Sequence, residues 1–119
     1  MIAKDIMSTN LIMINANAKI YELTKLLADN HISGVPVYDE SNNVVGMVSE
    51  ADLIGLKNGN CVRDIMNTEI VGVDVNTPVE KVASILNEKK IKRVPVYANG
   101  SVVGIISRAD IVAAMAKEC

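Results

Sequence analysis

Val44-Val-Gly-Met-Val-Ser-Glu-Ala-Asp52 returns later in the chain as Val102-Val-Gly-Ile-Ile-Ser-Arg-Ala-Asp110. Each stretch is an apolar run interrupted by one glycine, then a serine with an aspartate three residues on. The runs Val44–Val48 and Val102–Ile106 are nearly all apolar and read as strands buried on both faces. Ser49 or Ser107 then opens a helix. Working outward, His31-Ile-Ser-Gly-Val-Pro-Val-Tyr38 recurs as Lys90-Ile-Lys-Arg-Val-Pro-Val-Tyr97, and Lys4-Asp5-Ile6-Met7 as Arg63-Asp64-Ile65-Met66. The offset is 59 positions at Tyr38 and Tyr97, and 58 at Asp52 and Asp110. The lost residue falls between them, in a turn, where length changes are best tolerated. The chain is a tandem repeat, with copies over 1–58 and 59–119 and a turn signal at Lys57-Asn-Gly-Asn60.

Each copy reads as β-α-β-β-α. Extended segments at Leu11–Ala16 and Ile70–Val75 lead in. The first helix carries Ile20, Leu23, Leu26 and Leu27 in one copy and Val82, Ile85 and Leu86 in the other, at helical spacing. Asn17 is the cap expected in copy one. In copy two Thr77-Pro78-Val79-Glu80 reads as a capping box with proline at the first helical position. These helices end near Asn30 and Lys90. The strands Val35–Tyr38 and Val94–Tyr97 each contain a proline, which belongs at a strand start or an edge because it cannot donate to a ladder. The hairpin turns are Asp39–Asn43 and Ala98–Ser101, and Asn99-Gly100 suits a type I′ turn. The fold class is α+β. One copy of about fifty residues buries too little to be secure alone. Two copies packed through their sheets form a pseudo-twofold unit with one cleft site per half.

Composition narrows the function. The 119 residues are 50% hydrophobic, with mean hydropathy +0.25, no Phe and no Trp. Disorder is excluded, and the core is aliphatic. A net charge of −2 and three aromatic residues, all tyrosine, argue against nucleic-acid binding through a basic field or stacking platforms. A run of eighteen apolar residues is missing, as is a signal peptide. Cys61 and Cys119 lack CxxC spacing, and His31 is the single histidine. No zinc site, metal site or disulfide framework is expected, and the chain reads as cytoplasmic with Cys119 a free thiol. His31 reads as a helix-end residue. No acid/base or nucleophile constellation accompanies it, so enzymatic activity is not expected.

Three features carry candidate chemistry, and each has a structural alternative. Ser49-x-x-Asp52 and Ser107-x-x-Asp110 are capping boxes in form. They also suit a helix start that offers N–H groups to a ligand, with the carboxylate accepting from a ribose diol. Gly46 and Gly104 mark close approach by a backbone or a ligand. Lys89-Lys-Ile-Lys-Arg93 answers a helix C-terminal dipole, while Lys92 and Arg93, beyond the helix, suit a phosphate. Copy one has Ser33 and Gly34 there, so its site is empty or takes a less charged molecule. Asp5-Ile-Met7 and Asp64-Ile-Met66 are core fillers with a turn-capping acid, or a polarisable wall against a purine.

The doubled motifs resemble a tandem pair of cystathionine β-synthase (CBS) domains, over essentially the whole chain. The resemblance implies two βαββα units and an adenosine-containing ligand such as AMP, ADP, ATP or S-adenosylmethionine, with no resident cofactor. It implies a ribose role for Asp52 and Asp110, a ribose or phosphate role for Ser49 and Ser107, and phosphate contacts for Lys92 and Arg93. The neighbouring positions Ser33, Gly34, Val35 and Pro36, and Val94 and Pro95, complete the two strand entries. It places Met7, Leu11 and Ile12 toward the Asp110 site, and Met66, Ile70 and Val71 toward the Asp52 site. It implies a homodimer and a regulated enzyme or transporter as partner, with this chain acting as a free-standing sensor, a subunit of something else, or a dimer that presents its surface in a ligand-dependent way. A ligand-free scaffold that kept Ser-x-x-Asp only as a cap is the alternative. Nucleic-acid binding through Lys89–Arg93 is the third reading.

Overall fold

The computed structural model describes residues 1–55 and 59–117. Cys119 and part of the Lys57–Asn60 turn lie outside them. The elements run α1 (Ala3–Ile6), β1 (Ile14–Asn15), α2 (Ile20–Asn30), β2 (Gly34–Tyr38), β3 (Val44–Ser49), α3 (Glu50–Ile54), α4 (Val62–Ile65), β4 (Val73–Asp74), α5 (Val79–Glu88), β5 (Arg93–Ala98), β6 (Ser101–Ser107) and α6 (Arg108–Lys117). Two mixed three-stranded sheets form, in the orders β1-β2-β3 and β4-β5-β6. In each the first pair is parallel and the second antiparallel.

The compact units cut the chain differently from the repeats. One unit spans Ile12–Ile70; the other joins Met1–Leu11 to the chain from Val71 onward. Each unit is therefore completed by the opening segment of the other copy. In the first unit α2 buries Leu23 and Leu27, four residues apart, against Val35, Val37 and Val48, and α4 adds Val62 and Ile65. In the second, Val82 and Leu86 of α5 meet Val94, Val96 and Ile106, and Ala3 of α1 fills the same cluster. Each such Val, Leu or Ile side chain contributes about 1.5–3 kcal/mol through burial. Backbone bonds seat the segments: Ala3 N donates to Thr77 O at 2.8 Å and Lys4 N to Val75 O at 2.9 Å. Val62 N and Arg63 N donate to Ala18 O and Ala16 O, both at 2.9 Å.

The prolines sit elsewhere than expected. Pro36 and Pro95 lie inside the middle strands, opposite Met47 and Ile105. Met47 turns its N–H and C=O outward, to Asn67, and Ile105 does the same to Ser8. The facing proline is thus in a non-hydrogen-bonded pair. Its nitrogen faces the side where β1 or β4 begins only beside the next residue, Val37 or Val96. No ladder bond is lost, which is why the middle position tolerates proline.

Caps also differ from the sequence expectation. Pro78 is the N-cap of α5 rather than its first helical residue, and the Thr77 hydroxyl accepts from Asp74 N at 3.0 Å. Lys19, not Asn17, precedes α2, with Glu22 Oε2 accepting from Lys19 N at 2.6 Å. Asn17 instead donates to Glu40 Oε1 at 2.7 Å. His31 and Lys90, at equivalent positions, follow the two helices with positive φ (54° and 55°). Asn99 and Gly100 both have positive φ (52° and 82°), as the type I′ turn requires. Alternate residues of β3 and β6 are fully buried, Gly46 with Val48 and Gly104 with Ile106. The other face is half-covered rather than buried.

Two predictions follow from the seating of the opening segments. A Cβ on Gly104 would lie 2.5 Å from Met7 Sδ and 3.0 Å from Ser8 O. Gly104→Ala is expected to cost about 1–3 kcal/mol by urea denaturation, and Met7→Ala should not restore it fully, because the Ser8 carbonyl remains. At the start of α4, Asp64 Oδ2 accepts from Cys61 N at 3.1 Å and Asn60 N at 2.9 Å. The Cys61 N–H bond, then that of Asn60, holds the Asp64 carboxyl below its ordinary value of 3.8. A depressed folded pKa stabilises above 3.8 and ceases to as pH falls through the lowered value. Asp64→Asn should therefore lower Tm at pH 7, with the gap to wild type closing below pH 3.8.

Candidate functional site

β6 ends at Ser107 and α6 begins at Arg108, so the serine is the N-cap position of a ten-residue helix. Asp110 Oδ2 accepts from Ser107 N at 2.8 Å and from Ser107 Oγ at 3.0 Å. Ser107 Oγ in turn accepts from Asp110 N at 3.3 Å. This is a complete reciprocal cap, worth about 1 kcal/mol. Among the described residues both bonds accepted by the Asp110 carboxylate run to Oδ2, and the side chain is half-buried. Oδ1 is the oxygen available to an outside donor. The Ser107 hydroxyl is committed as a donor to Asp110, so it serves a ligand only as an acceptor unless its proton re-aims.

The cations stand beside this cap. Arg93 opens β5 and pairs in register with Ser107. Lys92 O accepts from Arg108 N at 3.0 Å, tying the strand entry to the first turn of α6. Arg108 Nε donates to Ile91 O at 3.1 Å, which folds its guanidinium along the 91–93 segment. Arg108 was not among the residues that sequence reasoning singled out. Its signal was present: a cation at the first helical position opposes the macrodipole by about 0.3–1 kcal/mol.

The equivalent region of the other copy keeps the backbone and changes the charge. Asp52 Oδ2 accepts from Ser49 N at 2.9 Å and Ser49 Oγ at 3.3 Å. Gly34 pairs with Ser49, and Glu50 N donates to Ser33 O at 2.8 Å. Ser33, Gly34 and Glu50 stand where Lys92, Arg93 and Arg108 stand in the second copy. Val35, Pro36, Val94 and Pro95 are fully buried, so their side chains belong to the core. Met7 shares a unit with Asp110 and its sulfur lies against Gly104. Met66 shares a unit with Asp52 and lies against Gly46. The close approach signalled by these glycines is that of the opening segments. Leu11 falls in the Asp110 unit and Ile70 in the Asp52 unit; Ile12 packs on the Asp52 unit's core, and Val71 falls in the Asp110 unit. Among the described residues no group of three His, Cys, Asp or Glu side chains could hold a metal. No helix there is long and apolar enough to cross a membrane.

Two βαββα copies, each closing on a Ser-x-x-Asp-capped helix, define a paired-repeat α+β module. The sequence model of the CBS domain matches residues 3–59 and again 62–117, and the chain belongs to the CBS domain family. The chain is 34% identical to the uncharacterized protein MJ1404 of Methanocaldococcus jannaschii, over 90% of this chain and 30% of that protein. It spans between 22% and 58% of the curated relatives it matches. Among solved structures, the CBS domain pair of protein MJ0100, in complex with 5′-methylthioadenosine and S-adenosyl-L-methionine, superposes with a TM-score of 0.92. That pair is 28% identical, covering 100% of this chain and 98% of that one. CBSX2 of Arabidopsis thaliana, in complex with AMP, also gives 0.92, at 26% identity over 98% and 97% of the two chains.

The cap reading makes its own prediction. Ser107→Ala removes the hydroxyl from the reciprocal cap. It is expected to cost about 0.5–2 kcal/mol by thermal or urea denaturation, with Ser107→Thr recovering most of the loss.

Proposed function

We propose that this chain is a regulatory module that binds an adenosine-containing ligand, chiefly through Asp110, Ser107, Lys92 and Arg93, and acts on a partner protein rather than on a substrate. The observation that carries the reading is the second carboxylate oxygen of Asp110. Oδ2 is bound in the helix cap, while Oδ1, which takes no bond among the described residues, can accept from a ribose diol beside a strand entry carrying Lys92 and Arg93. Ligands named for the similar structures, AMP, 5′-methylthioadenosine and S-adenosyl-L-methionine, share that ribose. Asp52 with Ser49 offers a second, less basic position. Met7 and Leu11 in the Asp110 unit, and Met66 and Ile70 in the Asp52 unit, are the apolar candidates to meet an adenine ring, together with Ile12 and Val71. Adenosine metabolites are made inside cells, so a cytoplasmic setting belongs to the reading. A homodimer belongs to it as well. Ile54 and Val112 occupy equivalent helix positions and are 75% and 64% exposed, which supplies apolar surface for association. A ligand regulates here only by its difference in affinity between two arrangements of the module.

The completeness of the Ser107–Asp110 cap favours a second reading, a scaffold in which the motif serves stability alone. Thermal denaturation separates them. With AMP, ATP or S-adenosylmethionine at a hundredfold excess over the dissociation constant, stabilisation should reach about 2.7 kcal/mol, a Tm rise of roughly 10 °C. Asp110→Asn and Lys92→Ala should abolish most of that rise. The scaffold reading holds instead when no adenosine compound moves Tm and Asp110→Asn merely lowers it.

A further inference from the structure

Five positions around the strand entry differ in charge between the copies. Asn30, His31, Ser33, Gly34 and Glu50 stand in the first copy where Lys89, Lys90, Lys92, Arg93 and Arg108 stand in the second. The chain has twelve Lys and Arg in all, so five of them gather at one place in a protein of net charge −2. Four of these lie within five consecutive positions, 89–93, and need no ligand to explain their proximity. Arg108 is different. It lies 15 residues further on from Arg93 and reaches the cluster only because its N–H and Nε bind Lys92 O and Ile91 O. It also occupies the first turn of α6, where a carboxylate suits the helix and a cation does not. The first copy has that favoured carboxylate, Glu50, on the same backbone scaffold, with Glu50 N bound to Ser33 O.

We propose that Arg108 is the specificity-determining residue that makes the Asp110 position select ligands with an anionic 5′ group, and that Glu50 makes the Asp52 position select ligands without one. This rests on the adenosyl reading above and adds which ligand each copy takes. Arg108 gives up helix stability and gains a guanidinium that its Nε bond to Ile91 O holds along the basic 91–93 segment, where it meets an anionic group. Glu50 repels the same phosphate.

The test uses the full chain, labelled with ¹⁵N, titrated with AMP and with 5′-methylthioadenosine. The Ser107 and Ser49 amides report the two positions separately. AMP should move Ser107 at lower concentration than Ser49, and 5′-methylthioadenosine should reverse that order. Arg108→Gln should weaken AMP at Ser107 roughly tenfold, the loss of one charge-assisted contact. It should leave 5′-methylthioadenosine unchanged there, and Arg108→Lys should retain most of the AMP affinity. Glu50→Gln, on an exposed side chain, should strengthen AMP at Ser49. A melting curve for each variant checks that the fold persists. If AMP binds Arg108→Gln as tightly as wild type, or both ligands weaken equally, the specificity role is overturned and the adenosyl reading stands. If neither ligand moves either amide in the wild-type protein, both are overturned.

Discussion

The structure depends on the closure of two strand edges. β3 and β6 would otherwise present open N–H and C=O groups, a template for unwanted pairing. Met47 exchanges both of its backbone bonds with Asn67, at 2.9 and 2.8 Å, and Ile105 exchanges both with Ser8, at 3.0 and 2.8 Å. Gly46 and Gly104 permit the approach, because a side chain there would strike Met66 or Met7 and the backbone carbonyl that follows. Each closing segment comes from the other copy. Ala3 and Val62, both fully buried, come with it as core. Neither copy contains all of its own core, which is a physical reason for the chain to carry two.

Much of this was legible beforehand. The repeat, its offset and the one-residue deletion follow from aligning the chain to itself, because motifs as specific as Val-Pro-Val-Tyr and Gly-x-x-Ser-x-x-Asp survive in both copies. Helix faces followed from Leu23 with Leu27 and Val82 with Leu86. The turn at Asn99-Gly100 followed from the few residues that accept positive φ. What failed was local inference that needs the neighbours. Proline suggests an edge only until one knows which side of the strand carries the ladder bond. At Pro36 and Pro95 the facing residue bonds elsewhere, and the rule has nothing to act on. Thr77 looks like a cap until Asp74 N takes its hydroxyl. Asn17 looks like one until Glu40, 23 residues away, takes its amide.

The site was legible in its residue types and not in their bonding. Ser-x-x-Asp announces a cap and a ribose ligand equally well. Only coordinates separate the two oxygens of Asp110 and assign one to the cap. Lys92 and Arg93 stand out in the sequence as a basic run. Arg108 does not, since it is separated from them by a whole hairpin and joins them through two backbone carbonyls. The hairpin register, which sets Arg93 opposite Ser107, is what makes one locality of two distant pieces of chain.

The cap also changes how the duplicated motif should be weighed. Each copy needs its serine and aspartate to start a helix whether or not anything binds, because unmet N–H groups at a half-buried helix start are costly. Twin motifs therefore do not argue for twin ligands. The informative positions are those the fold leaves free to vary, and there the copies part. Glu50 satisfies the dipole and Arg108 opposes it; Gly34 carries no side chain and Arg93 carries a guanidinium. The helix dipole favours Glu50 at the helix start and disfavours Arg108, whose side chain is held instead by its bond to Ile91 O. Arg108 opposes its own helix dipole, yet its N–H and Nε bind Lys92 O and Ile91 O, so its guanidinium lies along a basic strand entry that the first copy lacks.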